Sequence, residues 1–199
     1  QIEATLDFTI GKESSAKGRL KEGYYWVKDK AWYFHDFAFT YEDTAFDLKL
    51  NTLFDEVPLD LRAHFLLLPH FTSKIVIQET VADERENDDP LTIQTNWSEQ
   101  EGFYIQSMQG QVCGLDFDFH HNPKESFLDR AVLTGQLKTN LPTLSKLLPK
   151  NFQQTIKQFE VGKGYELSGD LILSKVKYDD TYFVGYLKGK NFQSKDLKD

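Results

Sequence analysis

Cysteine is all but missing from this chain: Cys113 is the only one among 199 residues. That excludes a disulfide framework within the chain and a four-cysteine zinc site, and Cys113 is expected to be a small buried apolar residue. Long hydrophobic runs are missing as well. No uninterrupted apolar run exceeds four residues, and Phe65-Leu66-Leu67-Leu68 stops at Pro69, far short of the ~20 residues a membrane-spanning helix needs. Glycine (12) and proline (6) are too scarce, beside an apolar share of 40%, for a collagen-like, low-complexity or wholly disordered chain. Positive charge is in deficit, with 23 Lys and Arg against 31 Asp and Glu and a formal net charge of −8. A surface of that sign repels a phosphate backbone, so nucleic acid is excluded as a general partner.

What the chain does have is alternation. In Phe46-Asp47-Leu48-Lys49-Leu50-Asn51 apolar and polar residues occupy opposite parities, as a strand with one buried face requires. The same rule holds in Leu91–Trp97, Leu115–His120, Leu133–Lys138 and Tyr165–Leu171. Further strands are expected around Ile2–Ile10, Gly23–Val27, Ala31–Tyr41, Leu59–Leu67, Lys74–Thr80, Gly102–Met108 and Thr181–Lys188, each bounded by turn-forming or charged residues. One-sided strands belong to antiparallel sheets, since parallel strands buried on both faces read as continuous apolar runs. Gly110, Gly135, Gly169 and Gly185 interrupt strand-like text at spacings too irregular for a fixed-period repeat. Glycine within a strand marks a bulge, a kink or a close backbone approach, which implies bending. One helical segment is expected near 140–158, with Asn140 as N-cap, Pro142 in the first turn and Leu144, Leu147 and Leu148 on one face before Pro149. The expected fold is therefore mainly β, a strongly curved antiparallel sheet, open as a groove or barrel-like, forming one domain over residues 1–199.

Chemistry-bearing clusters are sparse. Residues 55–101 hold 11 acidic and 3 basic residues, whereas 129–199 hold 12 basic and 8 acidic. The centre of the acidic stretch, Asp83–Pro90, reads as a solvated hairpin loop, without the glycine and ligand spacing of a calcium-binding loop. Asp116, Asp118 and His120 share one strand face, followed by His121, and His35-Asp36 stands elsewhere. Carboxylates and imidazole on one face can hold a divalent metal, the basis of a metal-dependent hydrolase. That parity is equally the solvent face opposite Leu115, Phe117 and Phe119, and no further ligand stands at recognisable spacing. His64 and His70 flank an apolar run and read as structural or exposed. No G-x-S-x-G elbow, P-loop or G-x-G-x-x-G fingerprint occurs, and Gly162-Lys163-Gly164 precedes a strand, not a helix, as a tight turn does. No catalytic residue and no cofactor is implied, and the chain is expected not to be an enzyme.

Aromatic residues gather in the first quarter: Tyr24-Tyr25-Trp26, Trp32-Tyr33-Phe34, Phe37, Phe39 and Tyr41. Large rings dominate cores, and they also line grooves for apolar ligands. The residues expected to line such a surface are Phe37, Phe39, Phe46, Leu48, Leu50, Phe117, Phe119, Leu167 and Leu171.

Leu133-Thr134-Gly135-Gln136-Leu137-Lys138-Thr139-Asn140-Leu141-Pro142-Thr143-Leu144-Ser145-Lys146-Leu147-Leu148-Pro149, followed by Gly162-Lys163-Gly164-Tyr165-Glu166-Leu167-Ser168-Gly169-Asp170-Leu171, resembles repeats of AsmA-like and TamB-like envelope proteins. The likeness extends over Leu133–Gly189. It implies long curled β-sheets with an open groove, phospholipid or another acyl chain as ligand, envelope proteins as partners, and a role in lipid transport or outer-membrane assembly in a Gram-negative envelope or periplasm. The chain differs from the family's pattern in its short length, acidic middle and aromatic first quarter. Gln1-Ile2-Glu3 carries neither an initiator Met nor a leader pattern, so a processed or excised piece is expected, anchored through a segment outside it. The rival expectations are a free-standing interaction scaffold with a filled core, and the metal-dependent hydrolase.

Overall fold

The computed structural model describes residues 4–9, 14–27, 30–54, 57–68, 70–80, 89–139, 159–160, 165–175, 181–189 and 193–194. In it the alternating segments become strands: β1 (Ala4–Thr9), β2 (Ser15–Val27), β3 (Lys30–Glu42), β4 (Ala45–Phe54), β5 (Val57–Leu66), β6 (Thr72–Glu79) and β7 (Leu91–Ser98). They continue as β8 (Gly102–Val112), β9 (Leu115–His121), β10 (Arg130–Thr139), the short β11 (Phe159–Glu160), β12 (Tyr165–Ser174), β13 (Tyr182–Gly189) and the short β14 (Gln193–Ser194). Twelve of these form one antiparallel sheet in the order β1 to β10, β12, β13, and β11 pairs with β14 apart from it. Each strand lies beside its predecessor in the sheet, so the chain runs as a meander. The sheet is open: among the described residues β1 and β13 are edges, which settles the choice between an open sheet and a barrel. No helix occurs among the described residues; the segment near 140–158, acidic residues 83–88 and Gly162-Lys163-Gly164 lie outside them.

Register carries the alternation from strand to strand. Phe46, Leu48 and Leu50 stand opposite Phe65, Ala63 and Leu61, and these lead through Ile75 and Ile77 to Ile93 and Leu91. Side chains at alternate positions share a face, so this register makes one continuous apolar face. The opposite face carries Lys17–Glu42 at 3.4 Å, Arg19–Asp36 at 2.7 Å and Asp47–His64 at 2.7 Å. Such exposed pairs contribute little to stability, so that face is solvated more than it is bonded.

The best-buried side chains lie toward the second half. Leu59, Leu91 and Val112 form one cluster with Ile77, Ile93 and Phe117 against it. Phe119, Ala131, Val132 and Leu133 are buried along β9 and β10, and Leu133 is fully enclosed. Loop residues 122–129 explain why β10 is covered on both faces. The Asn122 amide donates to the Val132 carbonyl at 2.8 Å. Ser126 Oγ accepts from the Val132 amide at 2.9 Å and donates to the Asn122 carbonyl at 2.8 Å. This loop folds back over the strand it precedes.

Two devices interrupt regular pleating. The β3–β4 register shifts between His35 and Ala38, where Asp36 has φ 51°, and the β7–β8 register shifts between Gln94 and Thr95. A bulge of this kind bends its strand and increases the local twist. The other device is a row of glycines. Gly135, Gly169 and Gly185, unevenly spaced along the chain, are brought side by side by register, with Phe119 at the end of the row. A Cβ on Gly135 would lie 2.0 Å from the Asp118 carbonyl oxygen, and one on Gly169 would lie 2.2 Å from that of Val184. No larger residue fits without moving backbone.

Cys113 departs from expectation. It occupies the β8–β9 turn with φ 52°, followed by Gly114 with φ 73°, the pair of positive φ values that a tight two-residue hairpin requires. A turn is at the surface, so Cys113 is half-buried instead of buried, packed on the Leu59-Leu91-Val112 cluster.

Candidate functional site

The apolar face carries an unbroken series of phenylalanine rings. Centroids are 6.1 Å apart for Phe34–Phe37, 6.3 Å for Phe37–Phe39, 5.7 Å for Phe39–Phe46 and 5.7 Å for Phe46–Phe65. Phe65–Phe71 at 6.2 Å and Phe71–Phe103 at 5.5 Å extend it to β8. These separations fall in the range where ring pairs attract, each by about 0.5–1.5 kcal/mol beyond area burial. Strand β2 makes room for the series. A Cβ on Gly18 would stand 2.2 Å from the Phe39 ring, and one on Gly23 2.5 Å from the Phe34 ring. Two glycines thus seat two rings, an arrangement that requires small residues across the hairpin from large ones.

Six of the seven rings are half-buried and Phe103 is exposed. Near Phe103, at the end of the sheet where β5, β7 and β9 finish, Leu66, Leu67, Leu68, Trp97, Phe127 and Leu128 are exposed too. Of the residues expected to line an apolar surface, Phe37, Phe39 and Phe46 are in the series, and Leu48 and Leu50 follow Phe46 on its face of β4. Phe117 pairs with Leu137 and through it with Leu167; Leu171 pairs with Leu133 and Phe183. Phe119, opposite Gly135 in the register, is 3% exposed. Sequence reading passed over Phe65, Phe71 and Phe103, since only register sets them beside the others.

A polar tie holds the same end of the sheet. Glu101, in the β7–β8 turn, and His121, at the end of β9, form an ion-pair contact of 2.7 Å with side chains only 14% and 12% exposed. The imidazole stacks on Tyr104 at 4.3 Å between centroids. Lys175 Nζ, just past β12, donates to the carbonyls of Glu101 at 2.5 Å and Phe127 at 3.1 Å. Burial holds the Lys175 ammonium below its ordinary titration value of 10.5, against the attraction of Glu101 and Asp129. Two of the three ammonium donors go to backbone carbonyls, so Lys175 joins the end of β12 to the β7–β8 turn and the β9–β10 loop. These residues stand too far apart in sequence to have been grouped by spacing.

The metal candidates lie on the polar face. Asp118 Oδ1 and His120 Nε2 approach to 3.1 Å, and Gln109 and Gln136 donate to the same carboxylate at 3.4 Å. Partial burial pushes the Asp118 carboxyl up, but hydrogen bonds from Gln136, Gln109 and His120 outweigh it and keep the group below its usual value. Asp118 and His120 are therefore brought together, and their partners are amides. Among the described residues no three His, Cys, Asp or Glu side chains gather to hold a metal ion. His35 stacks on Tyr33, and His64 pairs with Asp47. A shallow polar-face depression over β4 to β6 is lined by Lys49, Arg62, His64 and Lys74, where Asp47 and Asp60 already pair with His64 and Arg62.

Comparison with protein-family models, with curated proteins and with solved structures finds no match.

Proposed function

We propose that this chain is a non-enzymatic domain of a Gram-negative envelope protein of AsmA-like or TamB-like type, which holds phospholipid or another acyl chain on a strongly curved apolar sheet face. One observation carries the reading: seven contiguous phenylalanine rings, with Leu48 and Leu50 beside them, form an apolar face that stays half-exposed. A contiguous apolar surface of more than a few hundred Å² marks an interaction site in a soluble fold. Bulges and the glycine row supply the bending that turns such a face into a trough. An acyl chain laid in it gains about 0.8 kcal/mol per buried CH₂, so retention needs no specific polar contact. The resemblance of Leu133–Gly189 to envelope-protein repeats points the same way, toward lipid transport or outer-membrane assembly with other envelope proteins.

The test is organic extraction of the purified chain followed by mass spectrometry, and titration of the delipidated chain with a fluorescent fatty acid. Phospholipid or fatty acid should co-purify. Phe39→Asp and Leu48→Asp should each weaken fatty-acid binding at least tenfold with the far-UV circular dichroism unchanged. A wild-type chain that neither carries nor takes up lipid sinks the reading and favours a scaffold with a filled core.

A further inference from the structure

The most acidic stretch of the chain, residues 55–101, holds only three basic residues, Arg62, Lys74 and Arg85, against 11 acidic ones. Arg62 and Lys74, the two that fall among the described residues, line the same depression on the polar face over β3 to β6. Lys49 lines it too. Register sets Lys49 of β4 directly opposite Arg62 of β5, with Lys74 on the other side of β5, opposite His64. Like charges directly opposed on neighbouring strands repel. In a chain of net charge −8, three cations gathered in one hollow run against the composition.

The surroundings hold these cations without neutralising all of them. Buried Asp60 accepts from Arg62 Nε at 3.2 Å and Nη2 at 2.8 Å, both on one oxygen, which uses two of the five guanidinium donors and fixes the group. Asp47, the carboxylate that lines the depression, is engaged by His64 Nδ1 at 2.7 Å. Among the described residues no carboxylate forms an ion pair with Lys49 or Lys74. Lys49 acts on Asp36 only through space, since Asp36 takes its hydrogen bond from Arg19 at 2.7 Å. Small side chains make the hollow, about 390 Å³ in volume: Ala38 stands opposite Lys49, and Val76 opposite Arg62.

We propose that this depression holds a phosphate group, seated on the Arg62 guanidinium between the Lys49 and Lys74 ammonium groups. A guanidinium fork matches two oxygens of an oxyanion, and each lysine adds a point charge beside it. Tetrahedral phosphate has oxygens left for the lysines once the fork is filled, whereas both oxygens of a carboxylate are taken by the fork. The phosphate belongs either to a free phosphate compound or to a headgroup at a lipid surface. It is not the headgroup of a lipid lying on the rings, because the sheet itself separates the two faces. This inference is therefore independent of what the apolar face binds.

Backbone-amide NMR of the wild-type chain at low salt, titrated with inorganic phosphate and, at matched ionic strength, with sodium chloride, tests it. Phosphate should give saturable shifts centred on Lys49, Arg62 and Lys74 that chloride does not give. Lys49→Gln and Lys74→Gln should each weaken phosphate binding about threefold or more, and together about tenfold. Both side chains are exposed, so circular dichroism and the urea midpoint should stay those of the wild type. Lys17→Gln, which removes an exposed cation of the same face outside the depression, should leave binding unchanged. Co-sedimentation with phosphatidylcholine vesicles containing phosphatidic acid identifies the source. Pelleting that inorganic phosphate displaces supports the site and assigns a lipid headgroup; phosphate binding without pelleting supports it and assigns a free phosphate compound. Shifts no larger than those in chloride overturn the proposal, as do shifts equally strong at Lys17. Binding that the double variant leaves unchanged overturns it too.

Discussion

Across β3 to β5 the apolar face is made of rings. Across β9 to β13 it is made around a row of glycines. In the first region Phe34, Phe37, Phe39, Phe46 and Phe65 touch edge to edge or in offset stacks and all remain half-buried. In the second, Gly135, Gly169 and Gly185 let adjacent backbones approach too closely for any Cβ, while Phe119 and Leu133 beside them are enclosed. Of these two regions, the glycine region thus holds the enclosed large side chains Phe119 and Leu133, and the ring region holds rings that stay half-buried.

The sharpest way to break that contrast is to add a side chain to the glycine row. Gly135→Val drives a Cβ to within 2.0 Å of the Asp118 carbonyl oxygen, and only backbone displacement relieves it. A loss of about 3 kcal/mol or more is expected in urea unfolding. Gly102→Ala is the control. Its Cβ meets nothing within 4 Å, though φ is +67°, so the expected loss is the left-handed backbone cost of about 1–2 kcal/mol. Equal losses at the two positions would show that conformation, and not close approach, defines the row.

Truncating one leucine in each region compares them directly. Leu133 is fully enclosed, and Leu133→Ala should cost about 2–5 kcal/mol of cavity and transfer energy. Leu48 is half-buried among the rings, and Leu48→Ala should cost about 1 kcal/mol. Fatty acid added at saturation should raise the urea midpoint of the wild type more than that of Leu48→Ala. If Leu48→Ala matches Leu133→Ala in stability without ligand, the ring face is already covered and the contrast fails.

Most of this architecture is legible in the sequence because one-sided strands declare their parity. The alternating segments from Phe46 and from Leu115 become β4 and β9. What escaped is what register alone creates. The first half of β2, around Ala16-Lys17-Gly18-Arg19, lacks an apolar alternation because its inward residues are small, as the rings of β3 demand; a Gly opposite Phe39 was the available signal. The glycines of the row sit at uneven chain intervals and align only through the lengths of the intervening loops. The Asp36 bulge carries no glycine to announce it, and the Glu101–His121–Lys175 tie joins three loops that no local pattern relates. Phe37, Phe39 and Phe46 follow Phe34 in the ring series and stand in the ring-rich early part of the chain. The continuation of the series through Phe65, Phe71 and Phe103 depends on pairing two hairpins.

Smaller effects separate a buried polar contact from an exposed one. Lys175→Met removes two carbonyl contacts at the end of the glycine region and should cost about 1–2 kcal/mol near neutral pH. Its signature is in the pH dependence. Burial lowers the folded Lys175 below the 10.5 of the free side chain, so between those two values the unfolded chain binds the extra proton. Stability of the wild type relative to Lys175→Met should therefore rise with pH through that window and level off above 10.5. A flat difference would mean that the ammonium is solvated and that the tie does not hold the loops.

The smallest effect belongs to the ring region's own bulge. Asp36 sits at φ 51° in the β3 bulge and accepts a hydrogen bond from Arg19 at 2.7 Å. That bond, more than the nearby charges, holds the Asp36 carboxyl below its ordinary 3.8. A lowered carboxylate stabilises the fold above the unfolded value and loses its contribution as pH falls through the folded one, so any effect is confined to acid. Both partners are well exposed, and solvent screens them. Arg19→Gln should shift the Asp36 titration, followed by NMR, upward toward 3.8 while the thermal midpoint at neutral pH stays that of the wild type. If the midpoint falls as far as it does in Lys175→Met, the bulge depends on its ion pair. The bulge of the ring region would then rest on a side-chain contact, whereas the glycine row rests on the close approach of backbone.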